Sequence, residues 1–112
     1  MSKERFDIAE ICKNVRHLDA KELMQLLQTQ KTKLWSWGCD GFTNLENKAL
    51  KFRVRANRHK GYVYIVVNAS DLFDVYLVST HGNLIKKLPN IYFSELVDTI
   101  DNDIEFVDSY KF

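Results

Sequence analysis

The chain reads as a single α+β domain with two N-terminal helices, an antiparallel meander of four to five strands, and one C-terminal helix. Three observations predict this. Leu50, Phe52, Val54 and Ala56 alternate with Lys51, Arg53 and Arg55, a period of two that only extended chain sorts into faces. Turn-forming clusters at Asn57-Arg58-His59-Lys60-Gly61, Asn68-Ala69-Ser70-Asp71 and His81-Gly82-Asn83 separate successive strand-like runs, so neighbouring strands pair as hairpins. Before and after this centre, apolar residues recur at i, i+3, i+4 and i+7, the stripe of a helix lying on a core.

In chain order, Asp7 with Glu10 gives a capping-box pattern, and Phe6 with Ile11 a hydrophobic staple, so the first helix is expected to begin at about Ile8. Its stripe is Ile8, Ile11, Cys12 and Val15. Asp19 with Glu22, flanked by Leu18 and Leu23, repeats the device ahead of a second stripe of Ala20, Leu23, Met24 and Leu27. Two short helices about a tight turn invite comparison with a DNA-reading helical hairpin, in which Lys21, Gln25 and Gln28 would be the readers. Such a unit closes its core with a third helix, whereas strands follow here. Both helices are therefore expected to cover one face of a sheet.

Trp35 and Trp37 share a face if their segment is extended, and Gly38 and Gly41 predict a loop after them. The run Tyr62–Val67 is apolar on both faces, which predicts a central strand. Leu72–Val78 follows as the third of the run, and Leu84–Leu88 as a short edge strand ended by Pro89. Phe93, Leu96, Val97 and Ile100 then form a helical stripe, with Asn90 as its expected cap and Asp98 and Asp101 on its outer side. Residues 104–112 alternate apolar and polar, as an edge strand or a packed tail does. Leu23, Leu27, Phe52, Val54, Ile65, Val75, Leu96 and Ile100 are the expected core.

A length of 112 residues is that of one domain with one core, and 28% charged with 46% hydrophobic residues excludes disordered and fibrous classes. No apolar run is long enough to span a bilayer, and the first residues lack the apolar region of a signal peptide, so a cytoplasmic protein with no membrane association is expected. Cys12 and Cys39 are far apart and are expected to be free thiols, Cys12 inert and Cys39 the more reactive. His17, His59 and His81 fall in separate turns without metal-ligand spacing, and His59 is expected to be solvated within a cationic loop. The four glycines form no phosphate loop, and no acid, base and nucleophile converge. Neither an enzyme, a metal site nor a cofactor is expected.

Charge carries the functional signal. From Lys48 to Lys60 there are six cations and no acid, and from Glu95 to Asp108 six acids and no base. The expected function is a binding module in which Lys51, Arg53, Arg55, Arg58 and Lys60 contact nucleic acid or another anionic partner such as an acidic protein surface. Trp35 and Trp37 are the aromatic candidates: burial in the core is their expected fate and base stacking the functional alternative. Two other readings compete. Exposed cations guard an edge strand against pairing with another sheet, or the basic strand of one molecule meets the acidic helix of another in a homo-oligomer.

Overall fold

The computed structural model describes residues 5–56 and 59–104, with the backbone alone at 32 and 33. Arg58 and the segment 105–112 lie outside the described residues, and so does the choice between strand and tail for the latter. Helix α1 (Ile8–Cys12) begins where the Asp7 carboxylate accepts the N–H groups of Ala9 and Glu10, at 3.1 and 3.3 Å. Helix α2 (Ala20–Gln28) repeats the arrangement, with Asp19 accepting from the Glu22 N–H at 3.1 Å. The two caps answer donors that a helix start leaves unpaired, two at Asp7 and one at Asp19, and a cap is typically worth about 1 kcal/mol.

A third helix, α3 (Lys31–Trp37), occupies the segment in which the two tryptophans would share a face only if it were extended, and it ends at Gly38 in the left-handed conformation (φ 61). The physical reason is the pair Leu34 and Trp37, three residues apart, which turn one helical side to the core while Gly38 supplies the left-handed residue that ends a helix. Five strands follow: β1 (Asp40–Leu45), β2 (Ala49–Arg55), β3 (Lys60–Val67), β4 (Phe73–Ser79) and β5 (Leu84–Ile91). They form one antiparallel sheet in the order β1-β2-β3-β4-β5. The segment from Asp40 expected to be a loop is thus the outermost strand; Gly41 (φ 68) falls where the register shifts between Asp40 and Thr43, so the glycine marks a bulge.

Pro89 does not end the last strand, which runs on to Ile91. Proline is tolerated because β5 is an edge strand and because it sits in a register shift between the Val75–Leu88 and Phe73–Ile91 pairs. Asn90, expected as a helix cap, is the left-handed residue of that irregularity (φ 57), and its N–H donates to the Asp74 carboxylate at 3.0 Å. A 3₁₀ turn (Phe93–Glu95) leads into helix α4 (Leu96–Ile104).

All eight expected core residues are buried. Leu50, Phe52, Val54, Val63, Ile65, Val75 and Leu77 form one face of the sheet, under Leu18, Leu23, Leu27, Trp37, Leu96, Ile100 and Ile104. The opposite face carries a smaller cluster of Ala49, Tyr64, Val66, Tyr76 and Val78, packed by Phe6, Ile8, Ile11, Cys12 and Val15. The first two helices therefore lie on opposite faces of the sheet. The chain crosses over at the end of the sheet, where the Arg16 N–H donates to the Val67 carbonyl (2.9 Å) and the Leu18 N–H to the Asn47 carbonyl (2.7 Å). With a sheet between α1 and α2, the DNA-reading helical hairpin has no structural basis. Among the described residues no helix is long and apolar enough to cross a membrane.

Gly61 lies inside β3, where a Cβ would overlap the Val78 carbonyl oxygen of the neighbouring strand. Gly61→Ala is expected to force strands 3 and 4 apart and cost roughly 1 to 3 kcal/mol. Ile65→Ala, at the centre of the larger core, is expected to cost about 2 to 5 kcal/mol. Urea titration measures both, and a loss near zero at Ile65 is incompatible with a central β3.

Candidate functional site

Lys51, Arg53 and Arg55 project from β2 on the face away from the larger core, because the apolar even-numbered residues take the other face. Their partners on β3 are Tyr64, Tyr62 and Lys60 respectively. Over the middle of this face lies the N-terminal segment: the Phe6 ring sits 4.7 Å from that of Tyr64 and 5.3 Å from that of Tyr76, and the Phe6 N–H donates to the Gly82 carbonyl at 3.0 Å. Helix α1 covers the end that carries Ala49 and Val66. Among the described residues, what stays open is the corner by the β2–β3 hairpin, lined by Lys51, Arg53, Arg55, Lys60 and Tyr62.

The four cations of this corner are in different electrostatic states. The Lys51 ammonium lies 4.6 Å from the Tyr62 ring centre, within cation–π range. Arg53 forms a two-pronged pair with Asp40 of β1, Nε and Nη2 each 3.1 Å from a carboxylate oxygen. Hydrogen bonding from that guanidinium, with its charge, holds the Asp40 carboxyl below the usual carboxylate range. Arg55 and Lys60 stand directly opposite each other in the ladder, both exposed, and form no ion pair among the described residues. Like charges opposed in this way repel, and an anion between them relieves the repulsion.

Edge protection does not account for Lys51 and Arg53, which lie where β2 is paired on both sides, to β1 and β3; the Arg55–Lys60 rung extends beyond the β1 and β4 pairings. The true edges are shielded otherwise, β1 by its bulge and β5 by Lys86, Lys87 and Pro89.

The two tryptophans part company. Trp37 is 0% exposed; its ring stacks on Phe52 (6.4 Å between centres, planes 8° apart) and its indole N–H donates to Asp101 at 2.9 Å. It offers no surface to a ligand, and Asp101, expected to face outward, is held in this contact. Trp35 is 91% exposed. A helix turns about 100° per residue, so positions two apart point to nearly opposite sides. Asp103 is likewise engaged, 2.6 Å from the Lys86 ammonium, so the acidic helix spends part of its charge inside the molecule.

Other chemistry is quiet. His59, expected to be solvated, is 6% exposed, with Nε2 3.1 Å from the Tyr62 carbonyl oxygen; burial lowers its pKa, against the favourable carbonyls of Tyr62 and Val78. Burial raises the pKa of both thiols, and Cys39, the expected reactive one, donates to the Leu34 carbonyl at 3.4 Å. A thiol held protonated is a poor nucleophile. Among the described residues no three His, Cys, Asp or Glu side chains gather as a metal site.

Tyr62 and Asp40 belong to the corner without any sequence motif of their own. Tyr62 was within reach of the hairpin register, which sets Arg53 against it; Asp40 belongs to a strand hidden by its glycine. The chain matches no family model, no curated protein and no solved structure.

Because folding depresses the His59 pKa below its ordinary 6.5, the neutral ring favours the fold. That contribution is complete above the unfolded value and is lost as pH falls through the folded one. Urea midpoints are expected to decline between pH 7.5 and 5, and His59→Asn to flatten the decline; parallel curves for the two proteins exclude His59 as its source.

Proposed function

We propose that this chain is a non-enzymatic binding module that holds nucleic acid against the open corner of its sheet. Lys51, Arg55 and Lys60 contact phosphates directly, and Arg53 is released to a phosphate when Asp40 exchanges its partner. The observation that carries this reading is the opposition of Arg55 and Lys60, two exposed cations on a rung that lies beyond the pairings of β1 and β4. Tyr62 supports the same reading, since it offers an aromatic neighbour to the cations. A cytoplasmic location fits the two free thiols.

Binding of this kind displaces counterions, so affinity falls with salt, log affinity changing by roughly 0.7 to 0.9 per neutralised phosphate for each unit of log salt. Arg55→Ala and Lys60→Ala are each expected to weaken binding across all sequences and to reduce that slope by about one unit. Asp40→Asn, which frees Arg53, is expected to strengthen it. Fluorescence anisotropy with mixed single- and double-stranded oligonucleotides reads all three, and a flat signal at low salt sinks the proposal.

A further inference from the structure

Among the described residues Trp35 is the most exposed of the large apolar side chains, at 91% against 60% for Tyr92 and 53% for Ile85. Its indole borders a cleft of about 480 Å³ lined also by Lys31, Leu34, Gly38 and Cys39. The volume is within the range of small-molecule sites, and the lining joins an aromatic plane and an aliphatic wall to one cation at the rim. Cys39 adds no charge there, because burial keeps its thiol protonated. Gly38, left-handed at the end of α3, lies against the strand that carries the basic corner: a Cβ built on it would sit 3.5 Å from the Arg55 Cβ. The cleft therefore lies at the sheet edge beside the Arg55 end of β2, around which a chain can pass to the face that carries Arg55 and Lys60.

We infer that the Trp35 cleft seats an unpaired nucleobase, so that the partner of the basic corner is a single-stranded nucleic acid. The inference rests on the nucleic-acid reading above and adds the form of the nucleic acid. A duplex presents phosphates but keeps its base faces within the stack, whereas a single strand can turn a base onto an exposed indole while its backbone follows Lys31, Arg55 and Lys60. Charge complementarity selects this occupant: an apolar plane flanked by cations suits a planar base tethered to phosphate.

Trp37, buried, serves as an internal reference in a fluorescence titration. The probes are an oligothymidylate, the same strand paired with its complement, and inorganic polyphosphate as a backbone without bases. Oligothymidylate is expected to quench emission and polyphosphate to bind without quenching. Trp35→Ala is expected to lower oligothymidylate affinity by roughly five- to a hundredfold, the range for one stacked base, and to leave polyphosphate affinity unchanged; Trp35→Phe retains most of the affinity. The inference is overturned if Trp35→Ala binds oligothymidylate as the native protein does, if the duplex binds as tightly as the single strand, or if emission shifts with protein concentration alone while light scattering reports a dimer. Polyphosphate bound without any preference for oligothymidylate removes only this inference, whereas no binding of either probe at low salt removes the nucleic-acid reading as well.

Discussion

The antiparallel ladder between β2 and β3, which sets Phe52 opposite Val63 and Arg53 opposite Tyr62, decides which residues of this protein meet water. Side chains alternate along a strand, so a slip of one residue would carry Lys51, Arg53 and Arg55 under the helices and bring Leu50, Phe52 and Val54 to the outside. Burying even one unpaired cation outweighs most single packing gains, and the register is correspondingly strict. Gly61 reinforces it from the other side. The Val78 carbonyl comes so close that only a residue without a side chain fits, and this holds β4 against β3 one rung in from the Arg55–Lys60 pair that closes the hairpin.

With the register set, the two faces are clothed unequally. Three helices and most of the large apolar side chains cover one face. The other is crossed by a single thin segment, from Phe6 beside Gly82 to Val15 near the crossover at Arg16. Such a strap is too narrow for a five-stranded sheet. It seals Tyr64, Tyr76, Val66 and Val78 and leaves the β2–β3 corner to solvent, which is where the alternation has put the cations. The site is the remainder of a packing problem: the strap takes the apolar part of the face, and the charged part stays wet.

Much of this was legible in the residues. Period-two alternation at Leu50–Ala56, two-sided burial at Tyr62–Val67 and the capping carboxylates of Asp7 and Asp19 each state a local rule that the fold obeys. Elements hidden by their own composition were harder. A strand carrying Gly41 reads as a loop because the bulge needs the residue that also makes turns, and Pro89 reads as a stop because its lost donor matters only where a neighbour would accept it. Trp35 and Trp37 fit a period of two as well as any strand, and only the left-handed Gly38 with Leu34 at i−3 from Trp37 favours the helix. Which face a helix covers is not local at all. Ile8, Ile11 and Cys12 make the same kind of stripe as Leu23 and Leu27, yet the crossing of Arg16 over the sheet end sends them to opposite sides.

The same non-local placement gives identical cations different duties. Arg53 is met by Asp40, from a strand thirteen residues earlier, and that exposed pair orients the guanidinium more than it stabilises the fold. Lys51 rests on an aromatic ring, where its charge is softened but still accessible. Arg55, whose charge also helps to hold the Asp40 carboxyl low, and Lys60 form no ion pair among the described residues, and their mutual repulsion is modest only because water and salt screen it. Removing salt strengthens that repulsion and strengthens attraction for a polyanion at the same time, so the condition that most strains the hairpin end is also the one in which an anion there relieves it most.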